Sequence, residues 1–154
     1  MRSLLLVFAS AALALPGLAW AATRALDDGT LSVRNGDGVI FVSARGTLIG
    51  ACDQCRVSIV DPSPDDGAPP VVSGYEDHNV VSETRDLYAG KDVRFRMVGG
   101  FFKVKISGSG IDLAVVAKGW GRIQAYDSNT GTYSVNGDAR RLLPSERQVF
   151  ILTS

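Results

Sequence analysis

From Lys91 to Ala125 apolar and polar residues alternate almost without interruption. Val93, Phe95 and Met97 are followed by Phe102, Val104 and Ile106, then by Ile111, Leu113, Val115 and Ala117. Arg94, Arg96, Lys103, Lys105, Asp112 and Lys118 stand between them. A period of two belongs to strands with one wet face and one buried face. It predicts Val93, Phe95, Val104, Ile106, Leu113 and Val115 in the core, with Arg94, Arg96, Lys103 and Lys105 in water. The breaks at Gly99-Gly100, Gly108-Ser109-Gly110 and Gly119 read as chain reversals, so three or four antiparallel strands are expected in a meander.

The rest of the chain carries the same signal in shorter pieces. Leu31 to Val33 opens a strand, and Asn35-Gly36-Asp37-Gly38 is the strongest short hairpin signal. Val39 to Gly50, bent at Gly46, and Arg56 to Asp61 are the next strands. Asp61 to Pro70, with four prolines, is expected to be an irregular surface loop. Val71 to Ser73 reads as a short edge strand, and Glu76 to Leu87 is too polar for a definite assignment. Arg122 to Tyr126, Thr132 to Val135 and Gln148 to Leu152 are further strands, with turns at 127–131 and 136–138. No segment carries a three-turn helical stripe. Short strands with Gly-rich turns imply an all-β domain, an antiparallel sandwich or partly closed barrel built from meanders, with a short β-solenoid as the alternative. A shift of 62 residues lays Gly38, Val42 and Gly46 on Gly100, Val104 and Gly108, which fits either a duplication or two similar strands.

The first residues change this picture. Arg2, an apolar run and Ala19-Trp20-Ala21 have the form of a secretory signal peptide, the competing reading being an uncleaved anchor. The expected organisation is a signal peptide over 1–21, a mobile leader over 22–30 and one β-rich domain over 31–154, secreted or periplasmic. No second apolar run of spanning length follows. Of 16 basic and 16 acidic side chains only Arg2 lies in the leader peptide, so the mature domain is close to neutral. That balance argues against a nucleic-acid binder.

Four runs, GTLSVRNGDGVIFVSARGTLIG, RVSIVDPSPDDG, DVRFRMVGGFFKVKISGSGIDL and GTYSVNG, resemble short secreted bacterial proteins that pair a signal peptide with one β-rich domain. The resemblance implies export and fold, and carries no catalytic residues. Ile106-Ser-Gly-Ser-Gly110 is similar to the turns of adhesin-head β-solenoids, which implies the alternative fold.

Candidate chemistry is sparse. Cys52-Asp-Gln-Cys55 lies between apolar strands, so Asp53-Gln54 reads as a hairpin tip and the pair as a local disulfide. A redox role would need the first thiolate at a helix N-terminus, and zinc would need four ligands. His78, the one histidine, lies in a polar run and reads as a solvated loop residue. Asp61, Asp65 and Asp66 either form an ordinary turn or, with Glu76 and Asp77, offer oxygens to calcium. Arg94, Arg96, Lys103 and Lys105 are expected on adjacent strands as one basic patch. Trp120, between two glycines, either stacks on a ligand or covers the end of the core.

These residues define the expectation: a non-catalytic, exported binding module without metal or cofactor. It would recognise an envelope component or protein partner through Arg94, Arg96, Lys103, Lys105 and Trp120. A structural, self-assembling envelope protein is the second reading, and an enzyme the third.

Overall fold

A computed structural model describes residues 28–127 and 130–153. The expected signal peptide, most of the expected leader and the middle of the 127–131 turn lie outside them. Eight strands form one antiparallel sheet that does not close into a barrel. They are β1 (Gly29–Val60), β2 (Gly67–Ser73), β3 (Asp77–Ser82), β4 (Arg85–Gly99), β5 (Phe101–Ala125), β6 (Thr132–Val135), β7 (Arg141–Leu142) and β8 (Gln148–Leu152). The all-β, antiparallel architecture is the expected one. Among the described residues no helix is long and apolar enough to cross a membrane.

The connection of the strands differs from a meander. Residues 38–45 of β1 pair with β5 on both sides, with 101–108 along one edge and 118–125 along the other. Leu31 and Leu48 of β1 both lie opposite Val115, seventeen residues apart (48 − 31). Phe102 and Gly119 of β5 both lie opposite Ala44, again seventeen apart (119 − 102). β1 and β5 are therefore two antiparallel arms wound round each other, and each arm returns to the same height after one coil.

Winding divides the sheet into two leaves. The first runs β8, 118–125, 38–45, 101–108, 54–60, 85–91, β3; the second runs β7, β6, 29–36, 111–117, 46–51, 93–98, β2. Each arm alternates between leaves every eight or nine residues. Both leaves turn their apolar face to one core, which includes Leu31, Ile40, Leu48, Val57, Met97 and Ile106. The six residues expected inside are buried and the four expected cations are exposed.

The glycine-marked breaks are thus corners, not reversals. Asn35-Gly36-Asp37-Gly38, Asp53-Gln54, Gly99-Gly100 and Gly108-Ser109-Gly110 each carry the chain from one leaf to the other, and the segments they join do not pair with each other. At several of them the buried parity changes: Val33 to Ile40, Cys52 to Cys55, Met97 to Phe102, Ile106 to Ile111. An extra residue at a corner is what permits that change, because side chains alternate strictly within a strand. Gly119 shows why glycine is required. Its φ is +158°, and an added Cβ would stand 2.6 Å from Ala44 Cα, inside the neighbouring strand.

Smaller differences follow from edges. Pro69 and Pro70 lie in β2, not in a loop, at an irregularity between Ala68 and Val71. Edge strands accept proline where no ladder donor is needed. The polar run around His78 is strand β3, which forms a hairpin with β4. The first strand begins at Gly29, inside the stretch expected to be leader. The stretches related by a shift of 62 are direct antiparallel neighbours, with Val42 opposite Val104 and Ile40 opposite Ile106. One shared core position explains their likeness.

Candidate functional site: two outer faces

The expected patch is split by the winding. Arg94 and Arg96 lie on 93–98 in the second leaf, whereas Lys103, Lys105 and Trp120 lie in the first. Segments 93–98 and 101–108 are consecutive in sequence but not paired, so the four cations do not form one surface.

On the first leaf, outward residues line up across the strands. One row runs Ile151, Trp120, Ser43, Lys103, Val60, Arg85, and the next Val149, Arg122, Phe41, Lys105, Ser58, Leu87. Trp120 does not cover the core: it is 44% exposed, and its ring packs on Phe41 with centroids 5.3 Å apart. The Arg122 guanidinium sits 5.0 Å from the Phe41 centroid. A cation over an aromatic face is held by the ring quadrupole and fixes both groups. Val149 and Ile151 continue the apolar strip along edge strand β8, both largely exposed. The two rows hold four cations and no carboxylate.

The outer face of the second leaf is concave. A groove of about 690 Å³ lies over 46–51 and 111–117, where Ala51 and Ala114 point outward. Arg94 and Arg96 form one bank and Arg34 stands on the other. Asp112 is its one carboxylate, and one of its oxygens accepts the Asn35 N–H at 2.9 Å. Arg34, Arg94 and Arg96 make no ion pair among the described residues.

The remaining candidates have local work. Cys52 and Cys55 are at disulfide distance, Cα atoms 6.0 Å apart and both buried, spanning a corner and not a hairpin. Asp66 takes a charged hydrogen bond from Arg45 at 2.6 Å and the Phe101 N–H at 3.2 Å, which ties the acidic loop to the corner at 99–100. Asp61 accepts the Ser63 N–H. His78 is no loop residue: it meets Asp86 at 2.8 Å and stacks on Tyr88 with centroids 4.4 Å apart. The Tyr88 phenol is pushed up from its ordinary pKa, first by burial and then by the charges of Asp86 and Tyr75. Among the described residues no three metal-ligating side chains cluster.

Phe41, Arg122, Arg34 and Ile49 are the site residues that sequence reasoning missed. Each occupies an outward position in an alternating segment, but only the pairing shows which neighbours it joins. No family model, curated protein or solved structure matches the chain.

Proposed function

We propose that the protein is a non-catalytic, exported binding module of the cell envelope, and that it takes an acidic polysaccharide on the outer face of its first leaf. The observation that carries this reading is the pair of rows around Trp120: an ordered aromatic pair beside four cations, with no carboxylate among twelve positions. An exposed indole stacks on the apolar face of a pyranose ring. Lys103, Lys105 and Arg122 lie within two strand positions of it and supply charge for uronate or sulfate groups. An extended face suits a polymer, whose successive sugars can follow the rows.

The self-assembling alternative depends on an open edge. β8 is such an edge, but the Asn136 side chain donates to the Ile151 carbonyl at 2.9 Å and blunts it. Edges capped in this way pair poorly with another strand.

The chain has two tryptophans, Trp20 and Trp120, so a Trp120→Phe variant supplies the background for a fluorescence titration. Polygalacturonate should shift the Trp120 emission, and dextran of equal length should not. Lys103→Ala with Lys105→Ala should weaken binding at least tenfold, and raised salt should weaken it further. Equal response to dextran, or undiminished affinity without Trp120, would reject the reading.

A further inference from the structure

We infer that the groove on the second leaf is a separate site for an anionic amphiphile, a single aliphatic chain carrying a phosphate or carboxylate head. The head would meet Arg94, Arg96 and Arg34, and the chain would lie on Ala51, Ala114 and Ile49. The inference is independent of the polysaccharide reading, because the two outer faces belong to different leaves.

The groove exists because of which residues face outward. Across the middle of the leaf, Arg94 is followed by Ala51 and Asp112, and Val71 and Arg96 by Ile49, Ala114 and Ser32. Ala51 and Ala114 on the two central segments lie between Arg94 and Arg96 on one flank and Arg34 on the other, which leaves a trough parallel to the strands. Its floor is mainly apolar, with Ile49, Ala51, Leu113 and Ala114, and the one ring in the lining, Phe95, is almost fully buried and offers no open face on which a sugar would stack. Ile49 and Val71 are 51% and 55% exposed and flank Arg96 on the same outer face. Val98 and Val116 are also exposed and extend the apolar band in the outward register beyond Arg96 and Ala114. From Arg94 to Val98 that band covers about 13 Å at the rise of a strand.

The head-group chemistry follows from the arginines. Arg94 and Arg96 are two residues apart on one face, so their guanidiniums start about 7 Å apart and can converge on one anion. A planar fork binds phosphate or carboxylate through two parallel hydrogen bonds. None of the three arginines is neutralised by a salt bridge among the described residues. Asp112 at the same end disfavours a cationic head less than an anionic one, but it is one carboxylate against three arginines in the lining and already accepts one backbone hydrogen bond. The volume of about 690 Å³ lies within the usual range for small-molecule sites.

The test is calorimetric titration with dodecyl phosphate below its micelle concentration, with dodecanoate in parallel to separate phosphate from carboxylate heads. Dodecyl phosphate or dodecanoate should bind at least tenfold more tightly than inorganic phosphate or acetate, and at least tenfold more tightly than dodecyl maltoside. Arg94→Gln with Arg96→Gln should cost at least tenfold. Ala114→Tyr, which fills the trough from an outward position, should cost as much. Arg34→Gln provides a third variant should either of these fail to fold, with circular dichroism as the check. The inference falls if the alkyl chain adds no affinity or if dodecyl maltoside binds equally. It also falls if phosphatidylglycerol vesicles are bound while the monomers are not. Loss of binding in Trp120→Ala, with the groove variants unaffected, would overturn it too and place the amphiphile on the other face.

Discussion

Ile106 is the residue on which the winding can be tested most directly. It lies on 101–108 with Ile40 opposite on one side and Val57 on the other, and it is fully buried. Ile106→Ala removes three carbons from the core, worth roughly 2.4 kcal/mol at about 0.8 kcal/mol per methylene. Both neighbouring strands are held by hydrogen bonds, so the site cannot collapse fully. A residual void of roughly 50 Å³ adds about 1 kcal/mol. The expected loss is therefore about 3–4 kcal/mol. Lys105→Ala, one residue away on the outer face, should stay within about 0.5 kcal/mol.

Urea unfolding of the two variants measures both values, with unchanged slopes as the sign that only stability has moved. A double-mutant cycle of Ile106→Ala with Val57→Ala then probes the pairing itself. Directly opposed core residues should couple by about 0.5 kcal/mol or more. Lys105→Ala costing as much as Ile106→Ala would refute the inward and outward assignment of this segment. The face that includes Lys103 and Lys105 would fall with it. Full additivity with Val57 would refute the pairing.

Three further outcomes are expected. Gly119→Val should destabilise by more than 2 kcal/mol or prevent folding, since its side chain would enter the strand at Ala44 and φ is positive there; thermal melts decide it. Cys52→Ala with Cys55→Ala should remain folded and lose roughly 2 kcal/mol, as expected for a very short closed loop, and thiol labelling of the native protein without reductant should fail. Because the Tyr88 pKa is raised, the folded chain holds that proton more tightly than the unfolded chain, so stability should fall as pH rises above about 10, and Tyr88→Phe should remove that part of the fall in urea midpoints taken between pH 9 and 11.

Alternation along the chain was enough to separate inside from outside. Every one of Val93, Phe95, Val104, Ile106, Leu113 and Val115 is buried, because a one-residue slip would bury unpaired cations at a cost of several kcal/mol. Connectivity was not legible in the same way. A glycine break permits a reversal and a corner equally well, and only the position of the next partner strand distinguishes them. One signal of the coil does stand in the sequence: Gly29-Thr30-Leu31 recurs as Gly46-Thr47-Leu48, and both copies oppose Val115 to Ala117. The site suffered from the same ambiguity. Lys103 and Trp120 meet because both of their segments flank 38–45, whereas Arg94 and Lys103 separate because consecutive segments fall on opposite leaves.

The distribution of charge gives the outer faces their meaning. Acidic and basic side chains are equal in number over the chain, 16 of each. A surface shaped only by solubility would mix the signs along every row. Here seven of the acids fall between Asp61 and Asp86, in the loop and the β3 hairpin at one end of the sheet. The rows around Trp120 hold cations alone, and the groove holds three arginines against one aspartate. The cations alternate away from the core, and two of them have partners on the face itself, Arg122 over the Phe41 ring and Arg85 donating to the Ser58 hydroxyl. Lys103 and Lys105 stand two residues apart on one strand face, as do Arg94 and Arg96, so each pair repels at a distance that water and salt partly screen. An anionic partner would offset that repulsion on binding, which is the electrostatic part of the proposal made for each face.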